Sequence, residues 1–175
     1  DEPHYRYFEP LAQIVRALQL QDAGHLPYIN LYPNYASPDQ LGTIEYSTYV
    51  RRYMEIVRPP VLSYDHYALL EDGDRPGYFA NLEVIRQEAL RAGVPFWNII
   101  LSTPHFSYRD PSPEDLRWQV YTTLAYGGKG LEPGQKSYTF RYRIGLGDRT
   151  LTREDIEAFR DRFLAFLGGR GLGIR

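Results

Sequence analysis

The amino-acid sequence predicts an α/β fold in which parallel strands alternate with helices. Three apolar segments have the length of strands, at 26–32, 61–64 and 96–101. Amphipathic segments separate them at intervals of roughly 30 to 35 residues, the length of one βα unit. The segment 96–101 is apolar almost throughout, which is typical of a strand buried on both faces of a parallel sheet. Right-handed crossovers would place the carboxyl ends of all three strands at one edge.

The first part of the chain has clear element boundaries. Apolar residues at helical spacing predict the first helix: Phe8, Leu11, Ala12, Val15 and Leu18. Gly24 ends that helix, and the strand 26–32 follows. A second amphipathic helix is predicted at 46–57, and the pair Pro59 and Pro60 ends it before the next strand.

The middle of the chain continues this alternation. A turn is predicted at 73–77, and the third helix that follows it ends at Gly93. After the strand 96–101, Ser112 as the N-cap and Pro113 in the first turn begin a fourth helix. The predicted buried face of this fourth helix consists of Leu116, Val120 and Leu124, with Trp118 and Tyr121.

The carboxyl-terminal segment has a different pattern. Residues 136–144 alternate between apolar and polar side chains with a period of two, which predicts an edge strand or an antiparallel strand. Thr152 is the predicted N-cap of a final helix, which a glycine pair ends. We therefore divide the chain into a unit at 1–131 and a strand-helix segment at 132–175.

Composition limits the classes of function. The chain has 175 residues, of which 43% are hydrophobic, and this suffices for a globular core. A net charge of −2 gives no electrostatic reason to expect an anionic membrane or a nucleic acid as partner. Cysteine is absent, which excludes disulfides and thiolate metal sites but leaves the compartment open. No signal peptide and no run of about 20 apolar residues is visible, so we expect a soluble protein.

Polar and aromatic side chains gather at the predicted strand ends. They are Tyr32, Asn34, Tyr35, Asp65, His66, Tyr67, Ser102, His105 and Tyr108. Tyrosine, which occurs 16 times, can stack on the C–H faces of sugars and bond their hydroxyl groups. The pattern favours a site for a polyhydroxyl ligand, with Trp97 as a further ring for stacking. Ordinary polar loops and core-packing tyrosines are the alternative interpretation. Neither an HExxH motif nor Walker spacing is present, so we expect no metal and no cofactor.

Residues 1–131 resemble the later half of a (β/α)8-barrel glycoside hydrolase of the beta-galactosidase-like kind. The strings that carry the resemblance are DEP, LPYINLYPNY, PPVLSYDHYALL, YFANLE, GVPFWNIIL and DLRWQVYTTLAYGGKG. It implies a partial barrel, a carbohydrate substrate, and Glu2 as the acid that protonates the leaving oxygen. A second carboxylate would lie about 5 to 9 Å away. The strand 96–101 ends without an acid, which leaves Asp65 as the second carboxylate. The residues expected to bind the sugar are Tyr32, Asn34, His66, Tyr67, Trp97, His105 and Tyr108.

Residues 126–175 resemble a different family, the carboxyl-terminal ferredoxin-like anticodon-binding domain of the phenylalanyl-tRNA synthetase beta chain. The carriers are GKGLEPGQKSYTFRYRI, DRTLTREDIEAF and the closing GLGIR. This resemblance implies contacts with tRNA from Lys136, Arg141, Arg143 and Arg149.

Three hypotheses of function therefore stand side by side. The first is glycoside hydrolysis by the unit 1–131, and the second is RNA binding by the basic segment. The third is a recombined or designed chain without an evolved activity, because the two resemblances meet near Gly127 and belong to different families. A partial barrel would also expose sheet edges, which favours self-association.

Overall fold

The computed structural model describes residues 1–129. Within them lie the helices α1 (Phe8–Gln21), α2 (Pro38–Leu41), α3 (Tyr46–Ile56), α4 (Tyr78–Ala92) and α5 (Pro113–Ala125). The strands are β1 (Asn30–Leu31), β2 (Leu62–Asp65), β3 (Leu69–Leu70), β4 (Gly73–Asp74) and β5 (Phe96–Ile99). A short 3-10 helix, Tyr5–Tyr7, precedes α1. In this part of the chain, no helix has the length and apolar character needed to cross a membrane.

The main sheet is parallel and has the strand order β1-β2-β5. Helices lie between its strands along the chain, so the prediction of an α/β fold with a parallel sheet is confirmed. A separate antiparallel pair, β3 and β4, lies directly after β2. The predicted turn at 73–77 is thus partly a hairpin, whose two-residue strands are too short to show an alternating pattern in the sequence.

One face of the sheet packs on the helices. Leu62 and Tyr64 of β2 are fully buried in a single hydrophobic core with Leu31 and Phe96 of the neighbouring strands. Side chains from α3 and α4 complete that core: Tyr49, Val50, Tyr53, Leu82, Ile85 and Ala89. Because side chains alternate along a strand, Ser63 and Asp65 lie on the opposite face. The fold therefore separates an apolar sheet face from a polar one.

The predicted burial of the strand 96–101 on both faces is wrong. Phe96 is buried, but Ile99 at the other end of β5 is exposed. The reason is position: β5 pairs with β2 on one side and, among the described residues, with no strand on the other. The central strand β2 is the one with every residue buried. The first strand is also shorter than predicted, since only Asn30–Leu31 of the segment 26–32 is paired.

The predicted start of α5 is confirmed, but its predicted buried face is only partly right, since Trp118 packs against the core and Leu116 is half-buried. Ser112 caps the helix in a capping box with Asp115. However, Tyr121 is 64% exposed and Leu124 is 51% exposed, whereas Gln119 is buried. The full set of predicted face residues was Leu116, Trp118, Val120, Tyr121 and Leu124.

A backbone requirement explains the different face. The Gln119 side chain accepts a hydrogen bond from the N–H of Leu101 at 2.8 Å and donates one to its carbonyl at 3.0 Å. Leu101 is buried at the end of β5, where its peptide groups cannot reach water. Because Gln119 bonds both the N–H and the carbonyl of Leu101, this side of α5 faces the interior, and the more apolar Tyr121 and Leu124 face solvent.

Replacing Gln119 by leucine is expected to lower the free energy of unfolding by about 3 kcal/mol, because two buried backbone groups lose their partners. The matched change Val120→Gln, one position along the helix, is expected to cost less than about 1 kcal/mol, since Val120 is exposed. Urea denaturation of both variants measures the difference. A larger loss at Val120 than at Gln119 would support the face predicted from the sequence.

Candidate active site

Asp65 lies at the carboxyl end of the central strand, on the polar face of the sheet. It is 5% exposed. The Asn30 side chain, from β1, donates a hydrogen bond through Nδ2 to Oδ1 of Asp65. Ser63 donates from Oγ to Oδ1 of Asn30 at 2.9 Å, and this fixes which end of the amide faces the carboxyl group. The pairing of Asn30 with Ser63 in the sheet brings the three side chains together.

Burial raises the pKa of Asp65 to about 7. The loss of water around the carboxylate is the largest cause, and the negative charge of Glu2 is the second. Hydrogen bonds from Asn30 and from the backbone act in the opposite direction but do not cancel these effects. Near neutral pH, Asp65 therefore exists both as a proton donor and as a carboxylate.

Glu2 is held beside β1 by the backbone. Its N–H donates to the carbonyl of Asn30 at 2.7 Å, and the carbonyl of the next residue, Pro3, accepts from the Tyr49 hydroxyl at 2.7 Å. Its φ of 48° lies in the left-handed region, which is uncommon for a residue with a side chain. The charge of Glu2 raises the pKa of Tyr32 as well as that of Asp65, although burial is the larger cause in both cases. Glu2, Tyr32 and Asp65 thus share one electrostatic environment.

His66 follows Asp65 in the chain and lies on the helix side of the sheet edge. Its Nδ1 is 3.0 Å from Oδ1 of Asn81, a buried residue of α4. Because that oxygen can only accept, Nδ1 carries the hydrogen and Nε2 is left as an acceptor. Nε2 is buried and has no partner among the described residues. Burial lowers the pKa of His66, which keeps the ring neutral.

Asn81 also orders the loop that follows β1. Its Oδ1 accepts a hydrogen bond from the backbone N–H of Asn34 at 2.7 Å, and its Nδ2 donates to the Tyr46 hydroxyl at 3.0 Å. The Asn34 side chain in turn donates to the carbonyl of Gly77 at 3.1 Å. The structure thus brings Asn34 and His66 together through Asn81, and within residues 1–129 only Nδ1 of the His66 ring bonds a protein group.

Aromatic side chains form a cluster beside the carboxyl edge. The ring centroids of Tyr67 and His105 are 5.5 Å apart, and those of His105 and Tyr108 are 5.0 Å apart. The Tyr108 hydroxyl lies 3.5 Å from that of Tyr35. Burial raises the pKa of Tyr35, and the charge of Asp65 adds to the shift. The cluster is therefore within electrostatic range of the buried acid.

Trp97 lies farther from the sheet edge. It pairs with Ser63 across the ladder, so it shares the polar face of the sheet with Asp65. The Trp97 ring is half-buried and contacts Tyr28 edge to face, with 5.2 Å between the ring centroids. Trp97 therefore lies on the same face as Asp65, two residues before Ile99, the β5 residue that pairs with Asp65.

Three polar residues of the site were not predicted from the sequence. Asn30 and Ser63 each occur inside an apolar strand segment, two residues before Tyr32 and Asp65 respectively. That shared spacing is the signal that would have placed them on the polar face. Asn81 falls on the apolar side of α4, between Tyr78 and Leu82, and only its polarity at a buried helical position marks it.

Two other kinds of site were considered, a metal site and a basic surface for RNA. Within residues 1–129, no group of histidine, aspartate and glutamate side chains has the arrangement of a metal site. The basic residues Lys136, Arg141, Arg143 and Arg149 lie outside the residues that the structure describes, as does the whole segment 132–175.

Comparisons with protein-family models, curated proteins and solved structures give no match. The resemblances to a glycoside hydrolase and to a tRNA synthetase domain therefore stay predictions from the sequence.

Replacing Asp65 by asparagine is expected to stabilise the fold in alkaline solution. The folded-state pKa of about 7 exceeds the ordinary value, so the folded chain loses stability as pH rises from about 4 to about 7. Asparagine removes the buried charge and keeps an acceptor for Asn30. We expect a gain of up to about 4 kcal/mol near pH 8, shrinking toward pH 4, in urea denaturation at both values. An equal effect at the two pH values would show that Asp65 titrates normally.

Proposed function

We propose that this chain is a carbohydrate-active protein that hydrolyses glycosidic bonds, with Asp65 and Glu2 as its paired carboxyl groups. The observation that carries this proposal is the raised pKa of Asp65, about 7, beside a second carboxylate at the carboxyl edge of parallel strands. This edge is where α/β folds commonly hold their active sites.

Glycoside hydrolysis needs two carboxyl groups in different states. One donates a proton to the leaving oxygen, and the other, ionised, acts as a nucleophile or activates water. An ordinary aspartate would be ionised near neutral pH and could not donate. Burial of Asp65 meets the first requirement, and the negative charge of Glu2 meets the second. This favours Asp65 as the acid, whereas the family resemblance implies that role for Glu2.

The surroundings of the carboxyl pair suit a sugar. Aromatic rings can stack on the C–H faces of a pyranose, and hydroxyl or imidazole groups can bond its hydroxyls. The proposed binding residues are Tyr32, Asn34, His66, Tyr67, Trp97, His105 and Tyr108. Among them, Tyr32 is affected by the charge of Glu2, and the Tyr108 hydroxyl lies 3.5 Å from that of Tyr35. Nε2 of His66 remains as an acceptor for a sugar hydroxyl or a bound water.

The sheet geometry is compatible with a partial (β/α)8 barrel. In such a barrel β1, β2 and β5 would be successive strands, and Asn30, Ser63 and Asp65 would face the interior. The polar sheet face opposite the helices is the feature that supports this part of the proposal.

Assays on a panel of chromogenic aryl glycosides are expected to show hydrolysis by the unmodified chain. Asp65→Asn and Glu2→Gln are each expected to lower kcat by a factor of about 100 or more. Because Asp65 must be protonated, kcat/KM falls as pH rises through about 7. Residual activity of Glu2→Gln should decline at a lower pH than in the unmodified chain, since the charge that raises the pKa of Asp65 is gone.

Asp72→Asn is the matched control, because Asp72 is an exposed acid in the turn between β3 and β4. It is expected to leave the rate and the pH profile unchanged. Absence of turnover on every glycoside between about pH 4 and about pH 8, or full activity in Asp65→Asn, would refute the proposal.

A further inference from the structure

Phe106 combines high exposure with an unfavourable backbone conformation. Its side chain is 95% exposed, and its φ is 51°. The N–H of Tyr108 donates to the carbonyl of His105 at 3.0 Å, so Phe106 is the second residue of a tight turn. Glycine, asparagine and aspartate adopt this conformation more easily, and for other residues it costs roughly 1 to 2 kcal/mol. Neither the exposure nor the conformation of Phe106 stabilises the fold.

The turn that carries Phe106 is firmly attached to its surroundings. The carbonyl of Ser107 accepts a hydrogen bond from the N–H of Glu71 at 3.1 Å. Arg109 binds the Leu70 carbonyl at 3.2 Å, Asp74 at 2.7 Å and Asp115 at 3.0 Å. These contacts join the turn to the β3-β4 hairpin and to the start of α5. Phe106 is therefore presented to solvent by a fixed turn.

A row of aromatic rings leads from Phe106 toward the acid. We define the aromatic row as Phe106, His105, Tyr108 and Tyr35. The ring centroids of Phe106 and His105 are 5.5 Å apart, and those of His105 and Tyr108 are 5.0 Å apart. The hydroxyl groups of Tyr108 and Tyr35 are 3.5 Å apart. At the inner end, the ring centroids of Tyr35 and His66 are 5.0 Å apart, and His66 directly follows Asp65 in the chain.

We propose that the aromatic row binds a polysaccharide or oligosaccharide chain, with Phe106 stacking on a sugar unit outside the catalytic position. Continuity of the rings with the candidate active site identifies the occupant, because successive sugar units present successive C–H faces to them. The inference rests on the proposed glycoside hydrolysis and deepens it. It assigns the natural substrate to polymeric carbohydrates, for which an aryl glycoside supplies only the sugar at the catalytic position.

Affinity electrophoresis of the full chain in gels containing a soluble polysaccharide tests the aromatic row directly. The probes are galactan, xylan, galactomannan and hydroxyethylcellulose, used one at a time. Asp65→Asn serves as the background, so that the polysaccharide is not degraded. At least one probe is expected to retard this variant, and adding Phe106→Ala is expected to weaken binding roughly tenfold. Phe106→Trp is expected to keep the retardation.

Phe79→Ala in the same background is the matched control. Phe79 is a half-exposed phenylalanine at the start of α4, outside the aromatic row, with its ring against Trp118 and Tyr126. The Asp65→Asn, Phe79→Ala double variant is expected to bind the probe as tightly as Asp65→Asn alone. Equal losses in the two alanine variants, unchanged retardation in Phe106→Ala, or no retardation by any probe would each overturn the inference.

The outcomes separate this inference from the proposed function, because binding in the gel does not require turnover. Retardation that depends on Phe106, without hydrolysis by the unmodified chain, supports the aromatic row and refutes the hydrolase. Hydrolysis of aryl glycosides without any effect of Phe106→Ala on retardation refutes the aromatic row alone. Sedimentation velocity adds a check on self-association. If Phe106→Ala converts an oligomer into a monomer, Phe106 packs against a second copy and the inference is overturned.

Discussion

The Asn30 peptide unit and side chain join the three segments from which the candidate site is built. Its carbonyl accepts from the N–H of Glu2, its Oδ1 accepts from Ser63, and its Nδ2 donates to Asp65. The two side-chain bonds depend on each other, because the amide has a single orientation that satisfies both Ser63 and Asp65. A strand of only two paired residues thereby binds both the backbone of Glu2 and the carboxyl group of Asp65. Without Asn30, the Asp65 carboxyl group would lose its amide donor and the Ser63 hydroxyl its acceptor.

The polar network on one face of the sheet does not interrupt the apolar packing on the other face. Leu62 and Tyr64 fill the core under the helices, while Ser63 and Asp65 alternate with them and make the polar network. Because the two sets lie on opposite sides of one strand, the acid can be buried without opening a cavity in the core. Most of the stability comes from the apolar side, which leaves the other side free to hold a carboxyl group under unfavourable solvation.

Local signals in the sequence predicted the fold well, whereas burial depended on distant partners. The N-cap of α5, the spacing of apolar residues in α3 and the positions of β2 and β5 were confirmed because each follows from a few neighbouring residues. The inward face of α5 was not predictable, since Gln119 is turned inward by a peptide group 18 residues away. The same reason explains the site. An acid at a strand end is visible in the sequence, and spacing could have placed Asn30 on the polar face, but only the structure shows that it bonds Asp65.

The hydrogen bonds of Asn81 leave few side chains that could replace it. It is fully buried, and it bonds Asn34 and His66 through its oxygen and Tyr46 through its nitrogen. Aspartate would lack the donor for Tyr46, and leucine would leave the Asn34 N–H and the His66 Nδ1–H without an acceptor and the Tyr46 hydroxyl without its donor. Deamidation of this one side chain during ageing of the protein would therefore remove the donor to Tyr46 at the start of α3 and add a buried negative charge.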